Sequence, residues 1–483
     1  MIKNLRLEGF RAFKEHQDAG LAPLTLVYGP NSAGKSTLVR SLLLMQQSVL
    51  LNNSPFPLMK GPLVDLGSTR TVAHDHSGIA KVSLLVESPA LRHFDSFEIG
   101  LELDSAGPEN DRLVLTFNQG EKSHRLVFKR FGSNLQYLTI DDDASAALFE
   151  SLESTLSADS SVPLFVDQPG QRPVFEVDAL LPVAVIGRET NGVLKKLGRA
   201  DLNRPETYWG AIGSQLVSLL KTEMESVSYL GPLRRPWERT ENISQDMYAP
   251  GVGATGQHAL AVLARQPEIL SQVNSALKNA LESSYRLSVT LLNDSDLEHG
   301  VGAVLPPLAV PLLEHRESGV QVSPVDAGFG LSQLLPIVIE LNVRRDTLIC
   351  IEQPELHLHP RLQARVGQLL RNAVMGANGN RFLIETHSEH LLLRLRRLIR
   401  EGLLPAQMVS VLYVDNWEYD YDAGEFVSSS ESRLEHIELD DRGEFVDPWP
   451  GGFFEDRLAE LPGWDVQGLP PRLNDRVHDE EIM

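Results

Sequence analysis

Apolar and polar residues alternate through MIKNLRLEGF, a strand pattern expected to run over Ile2–Phe13. A second apolar run, LTLVY at Leu24–Tyr28, reads as a buried strand, with the turn-rich EHQDAGLAP between the two. The pattern then switches period: STLVRSLLLMQQSVLL has the spacing and length of a helix. From about Gly61 to Arg204, alternating runs such as KVSLLVES, SFEIGLEL, RLVLTF and HRLVFKRF are separated by Gly, Asp, Asn and Pro, which predicts a β-rich region. Helical spacing returns from Glu206 to about Ser284, interrupted by the Pro- and Arg-rich YLGPLRRPWERT. A β-like YRLSVTLL follows. Helices are expected at Gly330–Leu341 and Pro360–Met375 around the strand TLICIE, then a strand RFLIET, a basic amphipathic helix HLLLRLRRLIREG and a strand VSVLYVD. No period repeats along the chain. No heptad pattern lasts three cycles, so a long coiled-coil arm is not expected.

At 483 residues the chain exceeds what one hydrophobic core organises, so two or three substructures are expected. The single cysteine, Cys350, excludes an intramolecular disulfide and fits a reducing cytosol. The N-terminus lacks the apolar run of a signal peptide, and no stretch approaches the roughly 20 apolar residues of a membrane span, so a soluble, cytoplasmic protein without membrane contact is expected. The net charge of −21 is uneven: from Asp415 onward there are 20 acidic residues against 5 arginines. That acidic tail argues against nucleic-acid binding there. It reads either as a solvated surface or as a docking surface for a basic partner.

Candidate chemistry begins with GPNSAGKST, Gly29–Thr37, set between the apolar strand and the helix. Gly29 and Gly34 let the backbone wrap a phosphate with its N–H groups inward, and the helix N-terminus adds partial positive charge. Asn31, Ser32 and Ala33 complete the loop. Lys35 is placed to reach β- and γ-phosphates, and the Ser36 hydroxyl to ligate Mg²⁺, so ATP and Mg²⁺ are the expected cofactors. The apolar strand of TLICIEQPELHLHP ends in Glu352, a carboxylate suited to the metal's water shell, and Pro354 stops the strand. In LIETHSEH, His387 lies just past another apolar strand, the position of a γ-phosphate sensor. In DAGFGLSQLLPIVIEL, Gly328, Gly330 and Ser332 precede an apolar helix as a small-residue turn with a serine cap, a ready anion site.

These four motifs in this order resemble the ABC-type ATPase heads of the SMC, RecF and OLD families. The likeness is greater to bacterial ATPases carrying IEQPELHLHP, GFGLSQLLP and a WPGGFF tail, a group that includes the ATPase subunit of Septu-type anti-phage systems. It covers about residues 1–60 and 225–460, with YLGPLR and VGATG. The resemblance implies an α/β fold, an ABC-type P-loop ATPase head with a mixed central sheet, a β-rich flank and a helical insertion. Together with the segment pattern it divides the chain into 1–60 (first half of the head with the phosphate loop), 61–205 (β-rich), 206–320 (helical insertion), 321–420 (second half of the head) and 421–483 (acidic tail). It also implies a homodimer in which Lys35 and Glu352 of one subunit meet Gly330 and Ser332 of the other across two ATP molecules. The expected partner is an effector such as a nuclease or toxin.

The chain departs from the ABC pattern at Gln353, where such heads carry a glutamate that orients the attacking water. Glutamine cannot take the water's proton, so general-base help of roughly 10²–10⁴ in rate is missing unless Glu355 substitutes. His359 stands where many heads carry an aspartate. Slow or partner-gated hydrolysis is therefore expected, with an ATP-held scaffold of negligible turnover as the alternative. The pair Asp420–Asp422 and the roughly sixty residues after the last strand are too little for the nuclease domain of OLD proteins. Two basic runs, Arg234–Arg235–Arg239 and Arg394–Arg396–Arg397–Arg400, are candidates for nucleic-acid contact. The second fans over roughly 160° of a helix at about 100° per residue. Snorkelling around the leucine face Leu391, Leu392, Leu395, Leu398 and Ile399, with Leu393 interrupting the basic side, is the competing reading.

Overall fold

The computed structural model describes residues 1–483 except 52–56, 90–93, 121, 132–134, 140–171, 179, 191–192, 197–205, 244–249, 293–307, 421–424, 447–448 and 450–483. The chain divides into two compact units, with strands and helices numbered in chain order. The first unit comprises Met1–Leu21, Asn31–Ser226 and Asn416–Leu434, and the second Ala22–Pro30, Val227–Asp415 and Glu435–Met483.

The first unit is built on a ten-stranded sheet. Its strands are β1 (Ile2–Glu8), β2 (Gln17–Gly20), β4 (Ile79–Val86), β5 (Ser96–Asp104), β6 (Arg112–Gln119), β7 (Lys122–Phe131), β8 (Leu135–Thr139), β9 (Arg172–Asp178), β10 (Leu181–Thr190) and β11 (Val193–Lys196). From β4 to β11 they run in sequence order, and β1 and β2 extend the sheet beyond β4. Each pairing is antiparallel, as the short connections between most of the consecutive strands require. Helix α1 (Lys35–Leu50) and helix α3 (Glu206–Glu225) also belong here, with the short α2 (Thr69–Val72) between them in sequence. The Gln46 amide of α1 donates to the Met224 carbonyl of α3.

The first strand is shorter than its pattern predicts. It stops at Glu8 because Gly9 (φ 58°) and Arg11 (φ 53°) turn the chain, and Phe10 and Phe13 pair across that turn with both rings fully buried. Strand β2 lies inside the stretch expected to be all turn. Its burial alternates over only four residues, too few to rise above the polar composition of QDAG.

The second unit carries a six-stranded sheet of order β12-β17-β18-β3-β19-β20. Its strands are β3 (Leu24–Tyr28), β12 (Val227–Leu230), β17 (Leu348–Glu352), β18 (Arg381–Glu385), β19 (Val409–Asp420) and β20 (Glu425–Ile437), the last two passing into the first unit. The pairings β12·β17, β17·β18, β18·β3 and β3·β19 are parallel. The four residues between β19 and β20 are too few for a parallel crossover, so β20 joins antiparallel and the sheet is mixed. Every residue of β3 and β17 is buried, which suits parallel strands covered on both faces.

Around that sheet pack α4 (Ala259–Arg265), α5 (Pro267–Asn279), α6 (Phe329–Val343), α7 (Pro360–Val374) and α8 (Glu389–Arg400), and the strands β13 (Glu241–Asn242), β14 (Tyr285–Leu292), β15 (Leu308–His315) and β16 (Gln321–Val322) form a small antiparallel sheet. One polar group is fixed at the centre of this core. The Glu340 carboxylate on α6 is fully buried and accepts from the Ser228 hydroxyl of β12, the Arg344 Nε and the Val252 N–H. No helix among the described residues is long and apolar enough to cross a membrane.

In the first unit Asp111 precedes β6, with its Oδ1 accepting the Asp104 N–H at 2.8 Å. Burial pushes its carboxyl up from the ordinary 3.8 to about 7, against the lowering effect of that hydrogen bond. The protonated acid is favoured in the folded state. The stability it contributes is full below about 3.8 and is lost as the pH rises through about 7. Asp111→Asn keeps the acceptor and removes the titration. The gap in Tm between variant and wild type should therefore widen in the variant's favour from about pH 5.5 to about pH 8.5, read by thermal melts. A gap independent of pH would contradict this assignment.

Candidate nucleotide site

The chain leaves β3 at Tyr28 and turns at Gly29, whose φ of 139° is outside what side-chain-bearing residues adopt. A Cβ at Gly29 would overlap the Val414 carbonyl of β19. Tyr28 itself is fully buried, and its hydroxyl donates to the Ser388 carbonyl at 2.9 Å. Burial, with the charges of Glu355 and Glu389, holds that phenol well above its ordinary range.

In the first unit the rest of the loop takes left-handed backbone at Ser32 (φ 65°) and Gly34 (φ 99°). Asn31 and Ser32 are exposed and Ala33 is buried. Gly34 caps α1, and the Thr37 N–H donates back to its carbonyl at 2.9 Å. A Cβ at Gly34 would lie 2.8 Å from that of Ala12, so glycine is required by space as well as by φ. No side chain caps this helix start, and its first turn carries no acidic residue. Alternating left-handed residues ahead of an acid-free helix start suit an anion. Lys35 and Thr37 are buried at this end, with Ser36 half-buried between them.

In the second unit the parallel register aligns the carboxyl ends of three strands: Glu352 of β17 is level with Glu385 of β18, and Glu385 with Val27 of β3. Ligands of open parallel sheets bind along this kind of edge. Glu352 is buried, and its Oε1 accepts from the Tyr229 hydroxyl of β12 at 3.0 Å. Gln353 follows with φ 46°, a left-handed glutamine that costs about 1–2 kcal/mol. The surroundings hold it there: its N–H donates to the Glu385 carbonyl at 2.7 Å, and its carbonyl accepts from Arg234 Nη1 at 3.1 Å.

Glu355 accepts from the His387 N–H at 2.6 Å and from the Thr386 hydroxyl at 2.8 Å, so it is joined directly to the expected sensor position. Burial raises its carboxyl, and those two donors with Arg234 oppose the shift. His359 caps α7, its Nδ1 accepting the Arg361 N–H at 3.3 Å. Among the described residues no three His, Cys, Asp or Glu side chains gather as a metal cage. The buried carboxylate of Glu352 suits Mg²⁺, which is bound through one or two carboxylates plus substrate phosphates.

The segment around Ser332 differs from its reading as a serine cap. Gly328 (φ 89°) caps α6, and Ser332 lies in the helix's first turns with its hydroxyl donating to the Pro324 carbonyl at 2.6 Å. Glycine takes the cap because the cap residue itself has positive φ, which serine adopts only at a cost. Gly330 packs on the loop after Glu352, where a Cβ would come 3.0 Å from the His357 carbonyl.

The basic runs are largely used within the fold. Arg234 is buried, Arg235 pairs with Glu238, and Arg239 makes two bonds to Asp326. Arg394 donates to Gln368 Oε1 and Arg397 pairs with Glu401. Arg396 lies 4.2 Å over the Phe445 ring and pairs with Glu444. The five apolar residues of α8 are buried and Leu393 is exposed, as snorkelling predicts. Asp422, the WPGGFF residues after Trp449 and most of the acidic tail lie outside the described residues. Trp449 itself packs edge-on against Tyr28 and Tyr413.

A family model described as "AAA domain, putative AbiEii toxin, Type IV TA system" matches residues 268–394, a span holding Ser332, Glu352 and His387 but not the phosphate loop. No curated protein matches the chain. Among solved structures, it is similar to an SMC head bound to the C-winged helix domain of ScpA, at 11% identity and TM-score 0.43, over 91% of this chain and 98% of that one. It is similar to the SMC head domain from Thermotoga maritima at 11% identity and TM-score 0.38, over 91% and 99%. It is also similar to the Smc head domain with an extended coiled coil bound to the C-terminal domain of ScpA, from Pyrococcus furiosus, at 10% identity and TM-score 0.39, over 90% and 96%. The fold is α/β with a mixed central sheet.

Gly29→Ala combines forced positive φ with overlap on the Val414 carbonyl and should cost about 3 kcal/mol or more in chemical denaturation. Gly319→Ala, at the same sign of φ but in open space, should cost about 1 kcal/mol. Equal costs would contradict the close approach at Gly29.

Proposed function

We propose that this chain is an ATP-binding, slowly hydrolysing ATPase of the ABC type that dimerises around Mg·ATP and controls a partner effector. The observation that carries the reading is the phosphate loop: left-handed Ser32 and Gly34 ahead of an acid-free helix start, with Lys35 buried at its head. In this reading Asn31–Thr37 would cradle phosphate, Lys35 would neutralise the β- and γ-oxygens, and Ser36 and Glu352 are the residues proposed for Mg²⁺. Bound ATP supplies the phosphoanhydride to be cleaved, and Mg²⁺ offsets charge on its oxygens. His387 is the γ-phosphate sensor. Gly330 and Ser332 are the signature residues offered to a second copy.

Hydrolysis is slow in this reading because Gln353 can orient a water but cannot accept its proton. Glu355 is the alternative base: burial raises its proton affinity, and two donors fix its direction. The effector is proposed to be a nuclease or toxin acting in anti-phage defence, in keeping with the Septu-like and OLD-like sequence motifs and a cytoplasmic setting. The second reading, an ATP-held scaffold with negligible turnover that sequesters such an effector, is favoured by the single residue Gln353.

Steady-state ATP turnover, with mass by light scattering, tests both in wild type, Lys35→Ala and Gln353→Glu. Low wild-type turnover, an ATP-dependent dimer, loss of both in Lys35→Ala and a gain of tenfold or more in Gln353→Glu are expected, the last from a restored base worth roughly 10²–10⁴. Turnover unchanged in Lys35→Ala would remove the reading.

A further inference from the structure

The segment YLGPLRRPW is absorbed by none of the nucleotide motifs, yet it touches two of them within the second unit. Tyr229 donates its hydroxyl to the Glu352 carboxylate at 3.0 Å. Arg234, 3% exposed, donates from Nη2 to the Glu352 carbonyl at 2.7 Å and from Nη1 to the Gln353 carbonyl at 3.1 Å. Burial lowers its pKa to about 10, while the nearby charge of Glu355 favours the guanidinium, which therefore stays charged near neutral pH. These bonds grip the turn at which Gln353 is forced into left-handed backbone.

The other end of the segment is tied to the signature helix α6. The Gln333 side-chain amide brackets the backbone of Arg234: Oε1 accepts its N–H and Nε2 donates to its carbonyl, both at 3.1 Å. Trp237 Nε1 donates to the Ser332 carbonyl at 3.1 Å. A third contact fixes the same segment, since the Gly231 N–H donates to the Ala254 carbonyl and the Arg235 N–H to that of Thr255. These two acceptors lie in the VGATG loop, whose Val252 is held by Glu340 of α6.

We propose that Tyr229–Trp237 is a brace that couples the signature helix to the metal carboxylate, with Gln333 and Arg234 as its positioning residues. A displacement of α6 carries Gln333, and with it the peptide of Arg234, so the guanidinium re-aims the Glu352–Gln353 turn. Strain of the Gln353 kind persists only where neighbours over-determine it. Here one of the two determining neighbours, Arg234, is the one attached to the signature residues. Occupancy of one signature segment by a partner's nucleotide is thereby reported to the carboxylate of the same chain. This inference rests on the ATP reading above.

The test uses the full chain with a fluorescent ATP analogue, Mg²⁺ titration and ATP turnover counted per bound nucleotide, in wild type, Gln333→Leu, Arg234→Ala and Arg234→Lys. Analogue affinity without Mg²⁺, a property of the phosphate loop, should stay within about twofold of wild type at one site per chain. The Mg²⁺-dependent gain in affinity, and kcat at unchanged KM, should fall about tenfold or more in Gln333→Leu and Arg234→Ala, with part recovered in Arg234→Lys, which keeps one of the two carbonyl bonds. Normalising to bound nucleotide separates positioning from simple loss of folded protein. Analogue binding by wild type with wild-type Mg²⁺ dependence in the variants would overturn the brace alone. No analogue binding by wild type would overturn the ATP reading and the brace with it.

Discussion

The register of three parallel strands is the constraint on which the second unit depends. Because Glu352, Glu385 and Val27 are level across β17, β18 and β3, the last carboxylate of one strand and the chain entering Gly29 from another emerge at one edge. A one-residue slip would turn every side chain of a strand to its opposite face. The fully buried strands resist that slip, since each of their side chains is already packed. The chemistry of the edge is thus set by backbone pairing before any side chain acts.

Backbone conformation does further work within each unit. Left-handed residues mark the points where the chain must leave a strand or enter a helix: Gly29, Ser32 and Gly34 along the loop, Gln353 after Glu352, His357 before α7 and Gly328 before α6. Glycine meets the demand without cost where a neighbouring backbone leaves no room for a Cβ, as at Gly29. Where a side chain is retained, as at Gln353, hydrogen bonds from both sides hold the strain, and one of those donors is a buried arginine. Buried charge of this sort is costly unless every bond is made, which ties the position of Arg234 to that of the carbonyls it meets.

Much of this was legible in the sequence. LTLVY and TLICIE read correctly as strands, and GPNSAGKST as the turn between strand and helix, because strand length, glycine spacing and apolar runs are local signals. The cores of α7 and α8 follow the leucine spacing in the same way. What escaped was short or long-range. Strand β12 has four residues and was hidden by the prolines and arginines after it. Arg234 looked like a surface cation, yet its bond to Glu352 spans 118 residues of chain and so leaves no local trace. Ser332 was misplaced as a cap because sequence shows a serine near a helix start but not the positive φ that hands the cap to Gly328.

The central claim is that Gly29–Thr37 grips the phosphates of ATP. Isothermal titration of Mg·ATP into the full chain and into Lys35→Ala tests it most directly. The account predicts one site per wild-type chain and at least a tenfold weaker one in the variant, about 1.4 kcal/mol or more. Equal affinities, or no heat of binding to the wild-type chain, would contradict it.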